Sequence, residues 1–205
     1  MGNNEIKDFF DGLAPNWDAN EDTSDEKILS LLQRIGIKKG DAVLDVACGT
    51  GRITSLLHGL CGTDVLGVDI SEKMIAIAKK KYEDKPWAHF ECGDFCAMKG
   101  KKKYDVIVLY NAYPHFLKPE ELKNAFARCL KQGGLFAIVH SMGRERLRLH
   151  HEGVPSYVSR NLDHVSIEAE RFTQDFTIIL TEEDEDHYLV IERNNQVRLF
   201  VTKPR

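Results

Sequence analysis

Val43 to Thr54 reads VLDVACGTGRIT, a short apolar run holding an acid, followed by a glycine turn and the opening of a helix. Side chains at Gly49 and Gly51 would keep a nucleotide-like ligand away from the backbone, so their absence predicts a bound cofactor. Asp69 and Asp94 end two further apolar runs. An acid at the end of the second strand of such a unit can accept hydrogen bonds from a ribose diol. Histidines make the second chemical group: His115 in NAYPHF, His140 after LFAIV, and His150 and His151 in the connection that follows. All are expected outside the carboxyl ends of strands, where ligands sit in open α/β sheets. Three readings stand side by side for them. One is a general base for a hydroxyl, phenol or thiol, another a metal site built from His115, His140 and one of His150 or His151, and the third a polar lining without chemistry.

Other polar residues carry less. Arg144, Arg146 and Arg148 in RERLR could anchor a carboxylate or phosphate, but their alternation equally describes a solvated helix face. His58, His89, His164 and His187 are expected at the surface or in packing. Cys92 and Cys96 alone do not make a zinc site, and no metal ligand is assigned. The five cysteines, Cys48, Cys61, Cys92, Cys96 and Cys129, form an odd and scattered set that argues against a disulfide framework and fits a reducing compartment.

The elements that must position these groups alternate along the chain. Lys27 to Ile35 has helical apolar spacing and stops at Gly36. Strands are expected over Ala42–Val46, Asp64–Val68, Trp87–Glu91, Tyr104–Tyr110 and Leu135–His140. Helices are expected over Arg52–Leu60, from the N-cap Ser71 through Lys81, and over Glu120–Leu130 behind Pro119, closed by Gly133-Gly134. That alternation predicts a parallel sheet with helices on both faces. Beyond His140 a polar stretch leads to a helix over Leu162–Phe172. The alternating runs Phe176–Glu182 and His187–Arg193 then predict an antiparallel hairpin. Arg198–Val201 is a candidate short strand and Lys203–Arg205 a tail.

The 205 residues suit one domain. It divides into an N-terminal helical lid (1–35), a cofactor core (36–140), a substrate cap and helix (141–175) and the terminal hairpin and tail (176–205). A formal charge of -4 removes the general electrostatic case for nucleic acid, and the basic clusters Lys99–Lys103 and Arg144–Arg148 are expected to be solvated surface. No apolar run approaches the roughly 20 residues that span a bilayer, and the N-terminus MGNNEIKDFFDG lacks signal-peptide features. A cytoplasmic protein, monomeric or homodimeric, is the expectation.

Asp45-Val46-Ala47-Cys48-Gly49-Thr50-Gly51 resembles the D/E-x-G/A-x-G-x-G motif of class I S-adenosylmethionine-dependent methyltransferases. Asp69, Gly93-Asp94-Phe95 and the turn LKQGGL (Leu130–Leu135) resemble later landmarks of that family in the same order. The stretch FFDGLAPNWD (Phe9–Asp18) resembles the opening of its UbiE/COQ5-like branch. The resemblance implies a Rossmann-like seven-stranded, mainly parallel sheet, S-adenosyl-L-methionine as cofactor and S-adenosyl-L-homocysteine as product. It also implies a small-molecule acceptor whose attacked atom is O, C, N or S. Asp69 would hold the ribose, and Ile70, Met74 and Phe95 the adenine faces. Asp94 would take the adenine amino group, and Asp45 with the backbone of Ala47, Cys48 and Gly49 the methionine amino group. Tyr110 and Asn111 would lie beneath the sulfonium end, with Trp17 as a lid. Two alternatives stay open. A dehydrogenase-like NAD site lacks its third glycine, replaced by Thr54, and a non-catalytic S-adenosylmethionine-binding partner protein would keep the cofactor but lose the transfer.

Overall fold

Seven strands pair into one sheet in the computed structural model, which describes residues 3–20, 22–99 and 104–195. They are β1 (Val43–Val46), β2 (Val65–Asp69), β3 (Ala88–Cys92), β4 (Tyr104–Tyr110), β5 (Leu130–His140), β6 (Phe176–Glu183) and β7 (Tyr188–Asn194), in the order β3-β2-β1-β4-β5-β7-β6. The first five are parallel, and the hairpin β6–β7 adds antiparallel to β5. Around them run α1 (Asn3–Leu13), α2 (Asp25–Gln33), α3 (Thr54–Cys61), α4 (Glu72–Lys81), α5 (Pro119–Cys129), α6 (Arg144–His150) and α7 (Val165–Glu170).

Burial on both sides explains why the central strands are continuous apolar runs. Val43, Val65, Val106 and Val139 meet Ile28, Leu32 and Leu57 of α2 and α3 on one face. Leu44, Leu66, Ile107 and Ile138 meet Phe126 of α5 and the aromatic cluster Phe136, Phe172 and Phe176 on the other. Gly67 in β2 has no room for a side chain, because a Cβ there would lie 2.8 Å from both Cys48 Sγ and Phe90.

Three boundaries differ from expectation. The helix before β5 stops at Cys129, and β5 begins at Leu130 instead of Leu135. Leu130 already pairs with Tyr104, and at Gly134 a Cβ would sit 2.9 Å from the Asp105 carbonyl, so the two glycines carry the strand past β4 through a register shift instead of ending a helix. α3 starts at Thr54 because residues 51–53 are still turning. α7 is confined to Val165–Glu170, its first turn capped by the His164 side chain, which accepts from Ser166 N–H. The expected strand at Arg198–Val201, the tail Lys203–Arg205 and most of the Lys99–Lys103 cluster lie outside the described residues. No helix among the described residues is long and apolar enough to cross a membrane.

Candidate cofactor site

Strand order reverses between the parallel neighbours β1 and β4, whose connections leave to opposite sides. Such a switch point opens a crevice outside the carboxyl ends of the strands. The residues that leave β1 there adopt left-handed backbone: Ala47 at φ 53°, Gly49 at φ 53° and Gly51 at φ 81°. Asp69, at the end of β2, holds the turn in place. Its Oδ2 accepts from Gly49 N–H at 2.8 Å and its Oδ1 from Ser71 N–H at 2.8 Å. One carboxylate thus ties the turn after β1 to the start of α4. Burial pushes the Asp69 pKa up, against the pull of those backbone hydrogen bonds.

A cavity of about 270 Å³ opens at this point. Ala47, Cys48 and Gly49 line it from β1, Asp69, Ile70 and Met74 from β2 and α4, Asp94 and Phe95 from β3, Tyr110 and Asn111 from β4, and Trp17 from the N-terminal segment. Eleven of the thirteen residues expected at a cofactor therefore share one wall system. A Cβ on Gly49 would meet only the Trp17 Nε1, at 3.6 Å. Met74 and Phe95 are nearly fully buried, so each is core and cavity wall at once. Asp94 caps the turn after β3 by accepting from Cys96 N–H at 2.8 Å. Asn111, at φ 51°, turns its amide onto the end of β5, giving to Ser141 Oγ at 3.0 Å and accepting from Ser141 N–H at 2.9 Å.

Asp45 and Gly51 are the two residues of the expected cofactor set that stand away from the cavity. Gly51 faces α4: a Cβ there would lie 2.9 Å from Tyr82 and 3.2 Å from Phe90, and Tyr82 O–H donates to its carbonyl at 2.8 Å. Its missing side chain lets the turn pack against α4. Asp45 is buried behind the turn, accepts from Thr54 Oγ1 at 3.0 Å, and burial pushes its pKa up to about 7. Neither residue lines the cavity.

Only one of the four candidate histidines does. His115 lines the cavity, rests edge-on against Phe10 at 4.9 Å and places Nδ1 3.0 Å from the Val158 carbonyl. Burial pushes its pKa down to about 4. His140 is sealed in the core with neither ring nitrogen partnered, and burial pushes its pKa down to about 3, so it is no base for a cavity ligand. His150 is exposed at the end of α6 with its ring 5.6 Å from His151, while His151 pairs through Nδ1 with Ser159 Oγ at 2.9 Å. No three His, Cys, Asp or Glu side chains among the described residues converge as metal ligands.

The segment expected to cap a substrate also sits differently. None of residues 141–175 lines the cavity; the stretch packs behind His115, with Arg160 N–H donating to the Pro114 carbonyl at 3.0 Å. Arg144 and Arg146 reach Glu183 and Asp186, each at 3.4 Å, and Arg148 reaches Glu145 at 2.7 Å, so none is aimed at a ligand. The remaining histidines sit as expected, His58 stacked on Trp87 at 3.9 Å and His89 beside Asp64 at 3.2 Å. His164 caps α7, and His187 contacts Asp184 at 2.9 Å. Residues not singled out also line the cavity, among them Ile6 and Phe10 from α1, Arg52, Phe116, Leu117 and Lys118 from the β4–α5 connection, and Glu121 from α5. The aromatic pair in Phe9–Asp18 was the one sequence signal for them.

Sheet order, left-handed turn and ribose-type acid define a Rossmann-like α/β protein with a nucleotide-cofactor crevice. Residues 43–134 match the methyltransferase domain family. The chain is 34% identical over 112 residues to the sterol 24-C-methyltransferase of Saccharomyces cerevisiae, covering 53% of this chain and 29% of that protein. It is 30% identical over 137 residues to a ubiquinone biosynthesis O-methyltransferase of Coxiella burnetii, covering 61% and 56%. In fold it is similar to an N-methyltransferase from Bradyrhizobium japonicum solved with S-adenosyl-L-homocysteine, with a TM-score of 0.70, 14% identity and coverage of 93% and 99%. Over residues 43–134 the chain is thus similar to methyltransferase domains, and its fold is that of proteins that bind S-adenosyl-L-methionine or its product. The chain spans 29% to 56% of the length of the curated relatives it matches.

Proposed function

We propose that the protein transfers a methyl group from S-adenosyl-L-methionine to a small-molecule acceptor by in-line displacement. The observation that carries this reading is the bare Gly49 backbone and the Asp69 carboxylate meeting in one cavity at the switch point of the sheet. The cradle suits the cofactor: a side chain at Gly49 would fill it, and Asp69 retains acceptor capacity toward a ribose diol after its two backbone bonds. Ile70, Met74 and Phe95 offer apolar faces to an adenine, and Asp94 a carboxylate for its amino group. Tyr110 and Asn111 line the same cavity as His115, and there the sulfonium and the acceptor would meet.

When bound, S-adenosylmethionine supplies a methyl group on a positively charged sulfur. The chain's contribution is alignment and exclusion of water. Phe10 and Trp17 meet edge-to-face at 5.8 Å and both line the cavity, an aromatic pair suited to exclude water from a bound cofactor. The relatives named above act on carbon, oxygen and nitrogen, so kinship leaves the attacked atom open. A cavity lined by aromatic and apolar side chains supports a small acceptor in preference to a polymer.

Thermal shift with S-adenosyl-L-homocysteine and with NADH tests the cofactor. Stabilisation by the former alone is expected, and the reverse pattern overturns the reading. Labelled methyl offered to a panel of phenols, thiols, amines and carbon acids tests the transfer. Tight binding with no product in any arm makes the protein a binding partner instead of an enzyme.

A further inference from the structure

His115 differs from every other histidine in the molecule in having one nitrogen engaged inside and one side of its ring on the cavity. Nδ1 lies 3.0 Å from the Val158 carbonyl, which can only accept, so Nδ1 carries the proton and Nε2 holds a lone pair. Nε2, across the ring, is the nitrogen left for the cavity that His115 lines. Phe10 stands edge-on to the ring at 4.9 Å, and Phe116 continues the apolar wall.

The carbonyl that sets this tautomer is itself braced. Arg160, two residues on, donates to the Pro114 carbonyl at 3.0 Å, next to His115 in the chain. Its guanidinium lies 4.7 Å over the Tyr113 ring and pairs with Glu168 at 2.5 Å and 3.0 Å. The Glu168 side chain is fully buried and also accepts Tyr113 O–H at 2.8 Å. Val158 and Arg160 thus brace the segment that carries His115.

We propose that Nε2 of His115 is the general base for an acceptor whose nucleophile carries an ionisable proton on an aromatic frame, a phenol or aryl thiol. The inference rests on the methyl-transfer reading. A lone pair on the acceptor oxygen or sulfur forms the new bond to carbon as the old carbon–sulfur bond leaves its electron pair on the donor sulfur. The acceptor's proton passes to Nε2. Burial holds the ring neutral in the resting site, so that Nε2 presents an unprotonated lone pair to the acceptor.

Two measurements test this. Long-range proton–nitrogen NMR of the full chain should find His115 neutral at pH 7 with its proton on Nδ1, and addition of phenol or thiophenol with S-adenosyl-L-homocysteine should move the Nε2 resonance. A proton on Nε2 overturns the proposal without an assay. In methyl-transfer assays, His115→Gln should lower the rate on phenol and thiophenol by roughly 10²–10⁴-fold. It should leave an acidic nitrophenol, already ionised at the assay pH, within a few-fold. Equal losses on all three, or no transfer by the wild type to any of them while S-adenosyl-L-homocysteine binds, overturn the base role. Failure of the wild type to bind S-adenosyl-L-homocysteine instead removes the methyl-transfer reading beneath it.

Discussion

Asp69 uses one carboxylate for two backbone donors, Gly49 N–H and Ser71 N–H, while lining the cavity. An amide there has one acceptor oxygen, so Asp69→Asn must face one donor with its own NH₂ group. Hydrogen bonds to charged groups contribute about 1.5–3 kcal/mol. Affinity for S-adenosyl-L-homocysteine, read by titration calorimetry, is therefore expected to fall on the order of 10- to 100-fold; wild-type affinity would remove Asp69 from the site. His140 shows the opposite case. Its type and its place at the end of β5 suit catalysis, yet it is fully buried with neither nitrogen hydrogen-bonded and acts as core.

The N-terminal helix reaches the cavity because acids on one side of it find donors on α4. Asp11 accepts from Ser71 Oγ at 2.6 Å, from Lys73 N–H at 3.1 Å and from Lys7 Nζ at 2.9 Å. Those hydrogen bonds hold the Asp11 pKa down to about 2, against the upward push of burial. Asp18 adds an ion pair to Lys81 at 2.6 Å, and Arg52 donates to the Thr23 carbonyl at 2.7 Å. Asp11→Ala removes the central latch while leaving the cavity walls of α4 and the sheet intact. Faster amide exchange across residues 3–13 and weaker S-adenosyl-L-homocysteine binding are expected together, at a cost of about 1–2 kcal/mol. Faster exchange with unchanged binding would show that α1 contributes nothing to the site.

The central strands of the sheet are buried on both faces, and on β7 that burial extends to an acid with no partner. Glu192 on β7 is fully buried opposite Phe136, neither carboxylate oxygen is hydrogen-bonded, and burial pushes its pKa from 4.5 up to about 8. A carboxyl raised in the folded state binds its proton more tightly there than in the unfolded chain. Its destabilising effect is thus absent below pH 4.5, grows as pH rises toward 8, and is constant above. Glu192→Met keeps the volume and removes the charge. Denaturation midpoints of wild type and variant should run parallel below pH 4.5 and diverge by more than about 1 kcal/mol by pH 8, the variant being more stable. Parallel midpoints throughout would mean that Glu192 gains a partner in solution.

Much of this was legible along the chain because its causes are local. Apolar runs become central strands wherever both faces are covered, and a strand–glycine–helix segment must turn tightly whatever surrounds it. Asp69, Asp94 and Gly49 were readable for the same reason, since the backbone path alone puts them at strand ends. Side-chain direction beyond the turn is a different matter. Gly51 packs against Tyr82, 31 residues downstream, and His140 is sealed in the core by other strands, while Asp45 turns back onto Thr54 behind the glycine turn. The selection of His115 from four histidines likewise depends on the Val158 carbonyl, 43 residues downstream. The order of residues thus sets the cofactor turn and the sheet, whereas which polar groups reach the cavity is decided by packing between segments far apart in the chain.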